Sequence, residues 1–191
     1  MFKLKQDNNG IMIALMLPNQ LSRHISNKVS EVTFPNGSSV LPYKDHHITL
    51  LYFEPGEVDL PALHDILQQF SWDLEGQYVD FVLHGIDIFY NGDERAVYIP
   101  VYNGSISNNV TEFQRELAVR VSYGLNLPAN VVTRHPRYRP HVTVAYLPKT
   151  DWNYIEALSG IMDSVYVSME TYSLVSGSDR KDYKFNFSGI F

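Results

Sequence analysis

Short stretches in which apolar residues either alternate with polar ones or form a brief continuous run predict that much of this chain is strand. Ile11–Leu17 is almost wholly apolar and predicts a buried strand, and two later stretches, HITLLYF and HVTVAYL, carry apolar residues at alternate positions. Asn91-Gly92-Asp93 separates two other apolar stretches and predicts a hairpin turn. The predicted strands are residues 11–17, 47–53, 78–92, 95–102, 141–147, 164–177 and 182–191.

A helical period appears between several of these strands. Leu60, Leu63, Leu67 and Phe70 share one face of a helix that Asp59 precedes. Asn109-Val110-Thr111-Glu112 has the pattern of a capping box, and it opens a helix that ends near Gly124. Asn19 is the expected cap of an earlier helix. The predicted helices are residues 19–29, 60–70, 110–124 and 151–159.

Helices and antiparallel strands are therefore mixed, without the strict alternation that a doubly wound sheet requires. This arrangement predicts an α+β fold. Each half of the chain offers helix and strand around one of the two alternating stretches, and 191 residues suffice for a substantial core. We expect residues 1–191 to form a single domain.

Composition narrows the possible functions. Apolar residues make up 45% of the chain, but no apolar run is long enough to cross a membrane. With no cysteine in the chain as well, we expect a protein of the cytoplasm. The chain has no cysteine, which excludes disulfides, thiolate catalysis and cysteine-bound zinc. A net charge of −6 argues against attraction of long nucleic acid by the overall field. An anionic substrate would need a local cluster, and TRHPRYRPH, residues 133–141, is the best candidate.

The two alternating stretches contain the same motif, His-apolar-Thr-apolar. Since side chains alternate between the faces of a strand, His47, Thr49 and Leu51 are expected on one face, with Ile48, Leu50 and Tyr52 on the other. The same parity groups His141, Thr143 and Ala145 against Val142, Val144 and Tyr146. One copy of such a motif is most simply a surface histidine beside a strand-forming threonine. Two copies in matching contexts predict a functional site.

Two imidazoles suit acid–base chemistry on a phosphodiester, because one can accept a proton while the other donates one. The threonine hydroxyls can hydrogen-bond the phosphate oxygens as negative charge develops on them. This scheme needs no metal or other cofactor. His46 and His47 are adjacent and point to opposite faces, and no recognised metal-ligand spacing occurs, so we expect no metal site.

The pair HITL and HVTV resembles the signature of the two-histidine phosphoesterase superfamily, which includes the bacterial RNA 2′,3′-cyclic phosphodiesterases, also called 2′-5′ RNA ligases. The resemblance extends over roughly residues 10–187. It implies two α+β lobes, each an antiparallel sheet with helices, and a central cleft lined by one motif from each lobe. It also implies that His47 and His141 are the acid–base pair and that Thr49 and Thr143 bind phosphate.

One departure from the family pattern concerns the substrate. Bacterial members of the RNA ligase type lead us to expect a basic residue soon after the second motif, where this chain has Tyr146. The ending TVAYLP looks more like divergent members from phages and actinobacteria. That likeness leaves open a role against bacterial defence, by cleavage of cyclic oligonucleotide signals in the host cytoplasm.

Residues near the motifs are candidates for substrate binding. Arg137 and Arg139 can hold phosphate, since a guanidinium binds phosphate with two parallel hydrogen bonds. Tyr43 and Tyr138 can stack on a base, although a structural role is equally open. The expected partner is a small nucleotide or an RNA end: a 2′,3′-cyclic phosphate, a 2′-5′ linkage or a cyclic oligonucleotide. A silent nucleotide-binding protein and RNA end-joining remain alternatives, and the sequence leaves the oligomeric state open.

Overall fold

The computed structural model describes residues 10–34, 36–74, 76–91, 94–103, 109–133, 137–148 and 163–185, to which all structural statements below refer. The strands are β1 (Ile11–Met16), β2 (Ser39–Val40), β3 (His47–Phe53), β4 (Val79–Leu83), β5 (Asp87–Asn91), β6 (Glu94–Asn103), β7 (His141–Pro148), β8 (Val165–Met169), β9 (Thr171–Ser176) and β10 (Asp179–Lys184). The helices are α1 (Asn19–Ser30), α2 (Leu60–Asp73), α3 (Val110–Gly124) and α4 (Ala129–Val132), and Tyr43–Asp45 forms a 3₁₀ turn.

The strands pair into an antiparallel sheet in the order β10-β9-β1-β3-β7-β6-β4-β8, with β2 paired to β7 and β5 to β6. The two motif strands, β3 and β7, are neighbours at its centre and meet through the pair Ile48 and Val142. On one side β3 is flanked by β1 and β9, and on the other β7 is flanked by β6 and β4. The predicted α+β fold is confirmed. We call β3 and the strands on its side of the sheet the first lobe, and β7 and the strands on its side the second lobe.

The two lobes exchange chain segments. β4 belongs to the first half of the sequence but pairs with β6 and β8 of the second lobe. The last two strands, β9 and β10, return to the first lobe, where β9 pairs with β1. This exchange ties the two motif strands into one sheet.

The core joins both lobes. The buried apolar side chains of α1, α2 and α3 form one hydrophobic cluster with those of the sheet. Ile48 and Val142, which alternate with the motif residues, are fully buried in that cluster. Burial of these residues fixes which face of each central strand is left for the histidines and threonines.

The predicted cap at Asn109 is confirmed, since its side chain accepts a hydrogen bond from the Glu112 N–H at 2.8 Å. Asp59, which the sequence placed before α2, also caps its helix and accepts from the Ala62 N–H at 3.3 Å. The predicted cap at Asn19 is wrong. α1 starts one residue earlier than that cap implies, because the Pro18 carbonyl accepts from the Ser22 N–H, so Asn19 is the first helical residue.

Two predicted strands are each divided. The stretch 78–92 breaks near Gly85, whose φ of +69° interrupts the extended backbone, so β4 and β5 pair separately along one edge of β6. The stretch 164–177 divides at Glu170, and only its second part, β9, pairs with β10. β10 begins at Asp179, three residues before the predicted strand 182–191, most of which lies outside the described residues. The predicted helix 151–159 lies outside the described residues. Within the described part of the chain, no helix combines the length and apolar character needed to cross a membrane.

A buried histidine makes stability depend on pH. The His46 side chain is only 1% exposed, and its Nδ1 has no hydrogen-bond partner among the described residues. Burial lowers the pKa of His46, so the unfolded chain binds this proton more readily than the native protein does. We expect the free energy of unfolding to fall as the pH drops below about 6.5, with little contribution from His46 above it. Urea unfolding of wild type and His46→Gln between pH 5 and 8 tests this, since parallel curves would contradict it.

Candidate active site

The four motif residues lie on one face of the two central strands. Antiparallel pairing about Ile48 and Val142 sets His47 beside Thr143 and Thr49 beside His141. All four motif side chains are half-buried, whereas the residues between them are buried. The two histidines therefore sit diagonally across one small patch. A positive charge on His141 is near enough to His47 to lower its pKa.

Each motif strand contains a β-bulge directly after its threonine. On β3, Thr49 and Leu51 pair with consecutive residues of β1, which leaves Leu50 without a partner there. On β7, Thr143 and Ala145 likewise pair with consecutive residues of β6, and Val144 is skipped. A bulge inserts one extra residue and so reverses the alternation of side chains beyond it.

The bulges overturn part of the predicted parity. Leu51 and Ala145, expected on the histidine face, are buried. Tyr52 and Tyr146, expected on the core face, instead line the same cavity as Thr49 and Thr143. The alternation predicted by the sequence holds from the histidine to the threonine and fails one residue later, because it assumed a regular strand.

Both histidines are oriented by the same backbone hydrogen bond. His47 Nδ1 lies 2.6 Å from the carbonyl oxygen of Asp45, and His141 Nδ1 lies 2.8 Å from that of Arg139. A carbonyl oxygen can only accept, so Nδ1 carries the proton in each ring. In the neutral imidazole, Nε2 is then the unprotonated nitrogen that can accept a proton from a ligand.

The environments of the two histidines differ. Burial is the main cause that lowers the pKa of His47, and the hydrogen bond to Asp45 and the charge of that carboxylate only partly oppose it. His47 is accordingly neutral at pH 7. His141 instead packs edge-on against Phe89 and Tyr98, with ring centroids 4.8 and 5.3 Å away.

The sequence did not predict these two aromatic neighbours of His141, Phe89 and Tyr98, which we call the aromatic wall. Phe89 stacks on Tyr98 with centroids 3.9 Å apart, and the Tyr98 hydroxyl donates to Asp87 at 2.8 Å. Burial and that hydrogen bond raise the pKa of Tyr98. The wall therefore stays uncharged and holds the His141 ring from one side. The pairing of Tyr98 with Thr143 across the sheet is a long-range feature that the sequence did not reveal.

A cavity of about 510 Å³ opens beside the motifs. His141, Thr49 and Thr143 line it, whereas His47 is not among the lining residues. Arg137 and Arg139, both exposed, also line it and bring two positive charges to its wall. The structure thus brings together the predicted threonines, His141 and both predicted arginines around one space.

The structure describes the side chain of one of the two tyrosines predicted to stack on a base, Tyr138, but not that of the other, Tyr43. Tyr138 lines the cavity, but its hydroxyl donates to the backbone carbonyl of Thr49 at 2.9 Å, and burial raises its pKa. It braces the first motif strand from the segment that precedes β7. The Tyr43 side chain, like Arg134 and His135, lies outside what the structure describes. Among the described residues, no three His, Asp or Glu side chains converge as metal ligands would.

Known structures share this fold. The structure of TT0787 from Thermus thermophilus aligns with a TM-score of 0.67 at 16% identity, over 94% of this chain and 99% of that one. Escherichia coli LigT, solved in complex with 3′-AMP, aligns with a TM-score of 0.59 at 10% identity, over 92% and 94% of the two chains. Kluyveromyces marxianus Usb1 aligns with a TM-score of 0.56 at 14% identity, over 93% of this chain and 98% of that one.

Sequence comparison adds the family. Among curated protein sequences, none matches this chain. The family model of the 2′-5′ RNA ligase superfamily, however, matches residues 23–170, which include both motifs. The chain therefore belongs to the 2′-5′ RNA ligase superfamily, the two-histidine phosphoesterases, whose members act on phosphodiester bonds.

Proposed function

We propose that this protein is a metal-independent phosphodiesterase that acts on a small nucleotide or an RNA end. One observation carries the proposal: two His-x-Thr motifs lie side by side on adjacent antiparallel strands, and the same backbone hydrogen bond orients both imidazoles. Escherichia coli LigT, which shares this fold, was solved with 3′-AMP and with NADP+, two nucleotides that carry a phosphate on a ribose hydroxyl. A terminal 2′,3′-cyclic phosphate is the substrate that these ligands favour.

The two histidines divide the proton transfers. His47, whose pKa is lowered, is neutral at pH 7 and takes a proton from water through Nε2. The water oxygen forms a new bond to phosphorus while the bond from phosphorus to one ribose oxygen breaks. His141, protonated at Nε2, gives its proton to that leaving oxygen. Exchange with solvent restores both rings to their starting states.

The polar residues around the histidines meet the charge that develops on phosphate. The Thr49 and Thr143 hydroxyls donate hydrogen bonds to the two non-bridging oxygens. Arg137 and Arg139 supply positive charge from the cavity wall. No step of this scheme requires a metal ion.

Product analysis tests the proposal. The protein is incubated in EDTA with 2′,3′-cyclic mononucleotides, 2′-5′-linked dinucleotides and cyclic di- and trinucleotides, and the products are separated by chromatography. Hydrolysis of at least one of them in EDTA is the expected result. Activity that disappears in EDTA and returns with a divalent ion would refute the two-histidine scheme. To test for end-joining, an RNA with a free 5′-hydroxyl is incubated together with an RNA that ends in a 2′,3′-cyclic phosphate, and a longer joined product would reveal ligation. A nucleotide that binds but is recovered unchanged would reveal silent binding.

The pH profile tests the assignment of His47 as base. Because its pKa is lowered, kcat/KM should stay high as the pH falls to about 6.5 and decline only below that value. The Asp45 carboxylate raises the pKa of His47, so Asp45→Asn should shift the acid limb to still lower pH while the Asp45 carbonyl remains in place. A shift toward higher pH in that variant would contradict the assignment.

A further inference from the structure

An exposed row of aromatic side chains runs outward from the histidines across the second lobe. On β6, Tyr102 follows Pro100 by two residues, and Pro100 pairs with His141, so all three share one face of the sheet. Val82 of β4 pairs with Tyr102 on one side and with Tyr166 of β8 on the other. Tyr102, Val82 and Tyr166 therefore form a line across three strands on the catalytic face, which we call the tyrosine row.

A positive charge stands at the inner end of the tyrosine row. The Pro140 carbonyl accepts from the Val101 N–H, and continuing this antiparallel register sets Arg139 opposite Tyr102. Arg139 also lines the catalytic cavity and lies near enough to Tyr98 to influence its pKa. The row is thus continuous with the site already described.

The two tyrosines are held in place while their rings stay accessible. Tyr102 is 53% exposed and Tyr166 is 62% exposed. Tyr102 packs against the His84 ring, which is itself hydrogen-bonded to Ser164 at 3.1 Å. Tyr166 lies near enough to the Asp80 carboxylate for it to raise the pKa of the phenol. Val82 lies between the tyrosines across the strands. Each ring therefore presents a flat, anchored apolar surface to solvent, and such rings are candidates for stacking.

We propose that the tyrosine row binds single-stranded RNA on the 5′ side of the phosphate that the histidines attack. This proposal rests on the proposed function, which it extends from a mononucleotide to an oligonucleotide. Stacking platforms for single strands combine a cation along the backbone path with aromatic rings that each take a base. Arg139 supplies the cation. Tyr102 takes the base of the nucleotide that precedes the terminal one, and Tyr166 takes the base before that, so a mononucleotide reaches neither ring.

The spacing and the charges fit this occupant. Neighbouring strands lie about 4.8 Å apart, so the two tyrosines, separated by one strand, are roughly 10 Å apart, which leaves room for a separate base on each ring. Asp80 places a carboxylate beside Tyr166, where a phosphate would be repelled. That end of the row can accept a base but not a backbone phosphate, which keeps the phosphates on the Arg139 side.

Turnover of two substrates that end in the same cyclic phosphate tests the tyrosine row. One is a 2′,3′-cyclic mononucleotide and the other a six-nucleotide RNA ending in the same cyclic phosphate. Tyr102→Ala and Tyr166→Ala should each raise KM for the hexamer about tenfold, because each removes one stacked base. Neither should change kcat/KM for the mononucleotide. Tyr102→Phe, which keeps the stacking ring, should behave as wild type.

A binding measurement tests the tyrosine row independently of the proposed function. The fluorescently labelled hexamer is titrated into His47→Ala protein, with and without the tyrosine changes, so that no turnover interferes. Tyr123→Ala on α3 is the matched control, since Tyr123 is 84% exposed but lies outside the row. If wild type hydrolyses neither substrate, a 2′,3′-cyclic phosphate is not its substrate, while weakened hexamer binding in Tyr102→Ala still supports the row. Unchanged hexamer affinity in both alanine variants would overturn the row.

Discussion

Replacement of either motif histidine should nearly abolish activity: His47→Ala and His141→Ala are each expected to lower kcat by about 10³-fold on the best substrate. A positioned acid or base contributes about 10²- to 10⁴-fold, and both are needed in the same transition state. The double variant should be little worse than either single one, because residues that act as one catalytic unit are not additive. Steady-state rates of the three variants, measured at the wild-type optimum, give the comparison.

The control for this experiment is another histidine. His24→Ala removes an exposed imidazole from α1 and should leave kcat unchanged. Thermal unfolding should show that all variants are folded, since the motif histidines are half-buried on the face opposite Ile48 and Val142. If either single motif variant retains near-normal turnover, that histidine is structural and the proposed mechanism is wrong.

Loss of one threonine hydroxyl should lower kcat less than loss of a motif histidine does. Thr49→Val and Thr143→Val keep the side-chain shape and should each lower kcat on the order of 10²-fold, since each removes one hydrogen bond to a developing negative charge. The double variant should lose more than either single one, because each hydroxyl binds a different phosphate oxygen, but less than the product of the two losses, because both bind the same phosphate. This behaviour would differ from that of the histidine pair.

Serine provides the matched rescue. Thr49→Ser and Thr143→Ser keep the hydroxyl and should recover most of the activity that valine removes. Thr171→Val on β9, outside the cavity lining, is the control for a threonine lost from a strand. Equal losses in the serine and valine variants would show that the methyl group, not the hydroxyl, matters at these positions.

Local features of the chain were predicted well because their causes are local. The Asn109 cap depends on a side chain and an N–H only three residues away. The end of α3 near Gly124 was also predicted correctly. The prediction at Asn19 was wrong because a polar residue after a proline suits a cap and a first helical turn equally. Asn19 lies in the first turn because the Pro18 carbonyl accepts the first helical hydrogen bond.

The sequence by itself determined the two motifs, the α+β class and the shared face of each histidine and its threonine, since a two-residue step along any extended strand returns to the same side. Tertiary structure decided what lies around them. The bulges at Leu50 and Val144 arise from the register with β1 and β6, and they turn Tyr52 and Tyr146 to the cavity. Phe89 and Tyr98 reach His141 only because β5 and β7 both flank β6. Such placements depend on pairing between strands far apart in sequence, which a local pattern of polar and apolar residues does not encode.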